Sequence, residues 1–100
     1  MNHRYSKRYF TRAVAMIYHN SLPVAIGIVR NISNQGVYIE TRYQPADGAA
    51  CLDLEFSLGK GDHTWNKRVR GLIIHRQETG LGIMVEAEEF TEVFEVLVPL

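Results

Sequence analysis

The sequence has few cysteines and no long apolar run, and each absence excludes a class of protein. Its 100 residues contain one cysteine, Cys51, so no internal disulfide and no cysteine-based metal site can form, and a reducing compartment is expected. No apolar run approaches the roughly 18 residues that span a bilayer. Polar residues at 18–20 interrupt the segment that follows the basic start, so no secretory leader is expected. We expect a cytoplasmic protein with no membrane partner.

Length and motif content also argue against an enzyme. One domain accounts for the whole chain, because domains typically hold about 50 to 250 residues. A domain of this size buries only about 60 to 65% of its unfolded surface, which leaves little room for a deep catalytic cleft. The sequence contains no GxSxG elbow, P-loop or HExxH motif, and its four histidines lack metal-ligand spacing. We therefore expect a binding module with no catalytic residue, metal or cofactor.

The formal net charge is zero, with eleven basic and eleven acidic residues, which by itself argues against a nucleic-acid partner. The charges are nevertheless unevenly distributed. Residues 1–42 hold six basic side chains and one acidic side chain, whereas residues 78–100 hold six glutamates and no basic side chain. This asymmetry indicates that the basic end of the chain meets an anion.

Short β-branched and aromatic runs separated by turn residues predict six strands, over 13–19, 24–31, 37–41, 51–56, 63–76 and 81–86. Alternation in the fourth strand predicts that Leu52, Leu54 and Phe56 point inward. Apolar residues at 90, 93, 94 and 97 predict an amphipathic helix over 88–98 that no side chain caps at its start. We expect an all-β fold, a six-stranded antiparallel barrel over 13–86 with a C-terminal helix, preceded by a flexible basic arm over 1–12.

Two short motifs flank the first predicted hairpin. Arg4 and Arg8 form an RxxxR pair in the arm, and Asn31-x-Ser33-xx-Gly36 lies between the second and third predicted strands, 23 positions after Arg8. Each motif also has an ordinary structural explanation, as a solvated basic tail and as a turn. Arg8 and Arg12 form a second, overlapping RxxxR pair, so the register of the arginine motif remains open. Arg4 and Arg8 are preferred because Arg12 adjoins the apolar run of the first strand.

In this order and spacing the two motifs resemble those of PilZ domains, bacterial receptors for the second messenger cyclic di-GMP. The order of six strands and a closing helix is similar to the PilZ barrel, as are residues 70–76 followed by 80–85. The resemblance covers essentially the whole chain. It implies a cyclic di-GMP site formed by Arg4, Arg8, Asn31, Ser33 and Gly36, with Arg12 as a secondary contact.

The residue types suit such a ligand. The planar guanidinium of arginine pairs bidentately with phosphate or with guanine O6 and N7, while Asn31 and Ser33 offer acceptors to the opposite guanine edge. Gly36 would supply a positive φ or a close approach of the ligand. Aromatic residues at 5, 9 and 10 would either stack on guanine or pack into the barrel.

The sequence therefore favours a cyclic di-GMP receptor whose arm changes conformation on binding and which signals to an unidentified protein partner. A PilZ-like interaction module that does not bind the nucleotide is the alternative, and a barrel binding single-stranded nucleic acid is third. Two groups of charged residues also lie within the fourth and fifth predicted strands. Asp53 and Glu55 are interpreted as solvating charge, and the basic cluster Lys67, Arg68 and Arg70 either as a solvated strand face or as an extension of an anion-binding surface.

Overall fold

The computed structural model describes residues 7–98, which form a closed antiparallel barrel of six strands followed by one helix. The elements are β1 (Tyr9–His19), β2 (Leu22–Ser33), β3 (Gly36–Glu40), β4 (Cys51–Lys60), β5 (His63–Gln77), β6 (Gly80–Val85) and α1 (Ala87–Leu97). Around the barrel the strands follow the order β1-β2-β3-β6-β5-β4, and β1 closes it by pairing with β4. The expected fold class is confirmed.

The core fills the barrel with the side chains that strand alternation directs inward. Leu52, Leu54 and Phe56 of β4 are all buried, as predicted. Helix α1 adds Phe90 and Val93 to the same core, and the Phe90 ring meets Phe56 edge-on at a centroid distance of 5.9 Å. The helix begins after residue 86 without a side-chain cap. Within residues 7–98, no helix has the length and apolar character needed to cross a membrane.

Tight turns join the hairpins at the positions where the sequence carries turn residues. Asn20 and Ser21 both have positive φ values, 52° and 68°, which is the backbone of a two-residue turn matched to the twist of its strands. Gly61 has a φ of 62° in the turn between β4 and β5. Arg76 of β5 holds the loop before β4, because its guanidinium donates to the carbonyl oxygens of Pro45 at 3.0 Å and Ala49 at 2.6 Å.

Several predicted boundaries are wrong, mostly because strand pairing extends further than the local sequence pattern indicates. Strand β1 begins at Tyr9 rather than Ala13, since Tyr9 pairs with Ile32 and its ring packs edge-on against Phe94 at 5.8 Å. Four residues of the predicted arm therefore belong to the barrel. Strand β4 runs to Lys60 instead of ending at Phe56, and α1 spans 87–97 rather than 88–98.

Candidate functional site

A bulge in β2 shapes the outer surface of the barrel beside the start of β1. Between Val29 and Asn31, β2 carries one residue more than its partner β3. Val29 and Ile32 are both fully buried although they lie three positions apart, a spacing that regular alternation would place on opposite faces. The two residues between them, Arg30 and Asn31, therefore both lie toward the outer side, Arg30 exposed and Asn31 half-buried.

The two sequence motifs meet at this bulge. The pairing of β1 with β2 sets Phe10 opposite Asn31, which brings the chain just before β1 over the end of β2. There the Arg8 guanidinium donates a hydrogen bond of 2.6 Å to the Asn31 side-chain oxygen, and Arg8 itself is exposed. Arg8 and Asn31 are thus adjacent in space, as a shared site requires. Arg4 lies outside the described residues.

Ser33 and Gly36 occupy structural positions that differ from the prediction. The segment from Asn31 to Ser33 is the last part of β2, and Gly36 is the first residue of β3, so only residues 34 and 35 form the turn. Ser33 is buried at 6% exposure, and its hydroxyl accepts a hydrogen bond of 3.3 Å from the Gln35 backbone N–H. This local bond accounts for a serine here.

Gly36 is required by the barrel itself. Its φ is not positive, but a Cβ at this position would lie 2.8 Å from the carbonyl oxygen of Ile83 on the neighbouring strand β6. The close approach predicted for Gly36 was that of a ligand, whereas the one observed is that of the β6 backbone. The turn also supports β6 directly, because the Gln35 carbonyl accepts a 2.9 Å hydrogen bond from the Val85 N–H.

A Gly36→Ala substitution is expected to lower the free energy of unfolding by about 1 to 3 kcal/mol, because overpacking forces the two backbones apart. Urea denaturation measures this change. Gly59→Ala is the matched control, since its Cβ would meet atoms only at 3.6 Å and 3.8 Å, which is ordinary contact. Equal effects of the two substitutions would contradict the role assigned to Gly36.

Beside the Arg8–Asn31 contact lies an open depression of about 500 Å³ lined by Phe10, Thr11, Arg12 and Arg30. The Phe10 ring is 91% exposed, whereas Tyr9 packs against the core. Of the two roles considered for the aromatic residues, packing into the barrel therefore applies to Tyr9, whereas Phe10 is free to stack on a base. Tyr5 lies outside the described residues. The depression places an exposed aromatic ring beside two arginines.

Arg30 belongs to this surface, although sequence reasoning did not select it. It forms an ion pair with Glu40 of β3 at 3.4 Å, and both side chains remain about half exposed. Its position immediately before Asn31 could have indicated a place in the site, but strict alternation would put these two residues on opposite faces of β2. Only the bulge shows that Arg30 and Asn31 lie on the same face.

The second basic cluster lies on β5, opposite β2 in the barrel order, and each member faces a carboxylate. The nitrogen-to-oxygen distances are 3.9 Å for Lys67–Glu92, 3.9 Å for Arg68–Glu55 and 3.1 Å for Arg70–Asp53. The hydrogen bond that Arg70 donates to Asp53, together with the charge of Asp53, raises the pKa of Arg70 above its ordinary value. Asp53 and Glu55 thus serve as ion-pair partners of β5 rather than as simply solvated charges. This geometry does not favour the cluster as an extension of an anion site.

The described residues fit a surface site for an anion that also carries a flat ring. Arg8 and Arg12 supply charge, Asn31 supplies an amide and Phe10 supplies a stacking face, while Arg30 borders the same depression in its ion pair with Glu40. Across residues 7–98, no group of three or more His, Cys, Asp or Glu side chains is placed to hold a metal ion. No protein-family model matches the chain, and comparison with curated proteins finds no significant match.

Proposed function

We propose that this chain is a PilZ-type receptor that binds cyclic di-GMP at the outer end of β1 and β2 and signals to a protein partner. The observation that carries the proposal is the 2.6 Å contact between Arg8 and Asn31, which joins one residue of each motif. The two residues are 23 positions apart, and the pairing of β1 with β2 brings them together. Their adjacency is what a divided ligand site needs.

The contact leaves both side chains with capacity for a ligand. A guanidinium has five N–H donors, and the Asn31 bond uses one Arg8 nitrogen, so the remaining donors of Arg8 can address a phosphate or guanine O6 and N7. The Asn31 oxygen keeps a second lone pair and its amide two donors. In this proposal Arg8 binds the ligand, while Asn31 orients Arg8 and reads a guanine edge.

Phe10, Arg12 and Arg30 complete the proposed site. Stacking of a base on an aromatic ring contributes about 1 to 3 kcal/mol, and the Phe10 ring is available for it. Arg12 and Arg30 border the same depression as Phe10, within reach of a second phosphate. Gly36 has no direct ligand role in this arrangement. Ser33 contributes only if its hydroxyl exchanges the bond to Gln35 for a guanine donor.

Arg4 enters the proposal through the arm. Ordering a backbone residue costs about 1 to 2 kcal/mol, so an arm that orders on the ligand would convert part of the binding energy into a new surface for the partner. This is the proposed switch. An alternative register uses Arg8 and Arg12, both of which lie beside Phe10 in the described structure, and leaves Arg4 without a direct role.

Isothermal titration with cyclic di-GMP tests the proposal. We expect a dissociation constant of about 0.1 to 10 µM, equivalent to about 7 to 10 kcal/mol of binding free energy. The linear dinucleotide pGpG is the ligand control and should bind much more weakly, because it is not preorganised. Absence of binding heat at 100 µM cyclic di-GMP would overturn the receptor function.

A nucleotide-independent interaction module is the second candidate. The observation that favours it is the number of large apolar side chains exposed on the outer face of β1 and β2, a feature that a nucleotide site does not require. Absence of cyclic di-GMP binding together with self-association or partner binding through that face would favour this alternative.

A further inference from the structure

Arg30 is the residue that the bulge adds to β2, and its side chain lies between two features of the surface. The register of β2 with β3 passes from Val29–Ile39 to Asn31–Tyr38, so Arg30 is the extra residue. A bulge of this kind re-aims a side chain. The Arg30 side chain borders the depression of the candidate site and also contacts a carboxylate. It can therefore serve either a ligand or that carboxylate.

The carboxylate belongs to Glu40, the last residue of β3. Glu40 is the only acidic residue in positions 1–42, and its Oε1 lies 3.4 Å from the Arg30 Nε. A charge-assisted hydrogen bond between such groups is about 2.7 to 2.9 Å long, so this contact is loose. Both side chains are about half exposed, and exposed ion pairs contribute little to stability. The fold therefore does not depend on this pair.

Glu40 contacts Arg30 from outside the space that a ligand would occupy. Among residues 7–98, the lining of the depression includes no carboxylate, since it consists of Phe10, Thr11, Arg12 and Arg30. Glu40 instead borders a separate depression, which it shares with Arg42. An anion beside Phe10 would thus meet the Arg30 guanidinium without a steric clash with Glu40. The anion and Glu40 are alternative partners of one arginine.

We propose that Arg30 is a phosphate-binding arginine of the candidate site and that Glu40 is its internal competitor. A phosphate in the depression would draw the guanidinium away from Glu40, because a phosphate accepts two parallel N–H bonds from arginine, whereas the Glu40 contact is 3.4 Å long. Glu40 thereby lowers the affinity of the site for every anion and favours those that bind bidentately. This inference deepens the proposed function and rests on it for the identity of the ligand.

A double-mutant cycle on Arg30 and Glu40 tests the competition. Glu40→Gln is expected to strengthen cyclic di-GMP binding about two- to fivefold, the range that the energies of exposed ion pairs allow. Arg30→Ala is expected to weaken binding about 5- to 50-fold, because the ligand loses hydrogen bonds to a charged group. In the Arg30→Ala background, Glu40→Gln should have no further effect, since the two side chains act through one contact. Isothermal titration measures all four affinities.

Glu55→Gln is the matched control. Glu55 also pairs with a partly exposed arginine, Arg68 at 3.9 Å, and its replacement changes the net charge of the chain by the same amount. It lies on β4 opposite Met16 and does not line the depression, so the affinity should remain that of the wild type. Equal gains in the Glu40→Gln and Glu55→Gln variants would overturn the proposal. A gain from Glu40→Gln that persists without Arg30 would overturn it as well.

Titration with inorganic pyrophosphate separates this inference from the receptor function. At constant ionic strength, millimolar pyrophosphate should shift the Arg30 Nε–Hε resonance in NMR spectra. The midpoint should lie at an about two- to fivefold lower concentration in Glu40→Gln than in the wild type. This result without cyclic di-GMP binding would overturn the proposed function and support the competition. An Arg30 resonance that does not respond in either protein would overturn the competition, whatever the affinity for cyclic di-GMP.

Discussion

Replacing Arg8 with alanine is expected to weaken cyclic di-GMP binding by about 30- to 1,000-fold, or about 2 to 4 kcal/mol. The loss has two parts. Hydrogen bonds to a charged group contribute about 1.5 to 3 kcal/mol each, and the ligand phosphate or guanine would lose its bidentate partner. Asn31 would also lose the guanidinium that holds its side chain at 2.6 Å. Isothermal titration of the variant measures the change.

Arg68→Ala is the matched control for this prediction. Arg68 is also a partly exposed arginine paired with a side-chain oxygen, that of Glu55, but it lies on β5, and its guanidinium stacks on Tyr18 near the far end of β1 from Arg8. The affinity of the Arg68→Ala variant for cyclic di-GMP should stay within about twofold of the wild type, since a distant exposed charge contributes little once salt screens it. Arg8→Lys should bind poorly as well, because an ammonium cannot form the bidentate contact. Equal affinities of the Arg8→Ala and Arg68→Ala variants would contradict the proposed site.

Phe56→Ala is expected to lower the free energy of unfolding by about 3 to 5 kcal/mol, the usual cost of removing a buried phenylalanine. Phe56 is fully buried, lies opposite Ala15 where β4 closes the barrel onto β1, and meets Phe90 of the helix. Its removal would leave a cavity at the junction of sheet and helix. The total free energy of unfolding of a native protein is about 5 to 15 kcal/mol, so the substitution would remove much of the stability. The midpoint of urea denaturation measures the effect.

Phe10→Ala provides the contrasting result for the same substitution. With its ring 91% exposed, Phe10 should change the free energy of unfolding by no more than about 0.5 kcal/mol, as is usual for surface positions. A large loss in both variants would mean that Phe10 packs against the barrel in solution. It would then be unavailable to stack on a base.

Most of the fold could be predicted from the sequence because its signals are local. Alternation identified the buried residues of β4, the helical spacing of Phe90 and Val93 identified the buried side of α1, and Asn20 marked the first turn. Each signal depends on residues within a few positions of one another. The ends of the strands could not be predicted as well, because Tyr9 is held in β1 by Ile32 and Phe94, which are distant in the sequence. Local patterns do not contain that pairing.

The candidate site was only partly predictable for the same reason. The resemblance placed Arg8 and Asn31 in one site, and the structure brings the two side chains into contact, while the ligand stays a prediction. Alternation alone could not reveal that Arg30 and Asn31 share a face, because the bulge in β2 depends on its pairing with β3. The structural need for glycine at position 36 could not be predicted either, because it depends on the carbonyl of Ile83 in a strand far along the chain.

The bulge in β2 also has a consequence for comparing chains of this kind by motif spacing. The distance in sequence between Arg8 and Asn31 measures the length of the β1–β2 hairpin. Adding one residue to each strand near the turn lengthens this distance by two and leaves Phe10 opposite Asn31. Deleting the extra residue at the bulge would restore regular alternation, since Val29 and Ile32 would then lie two positions apart on the same face. The spacing between the two motifs can therefore change by two through the length of the hairpin and by one through the bulge.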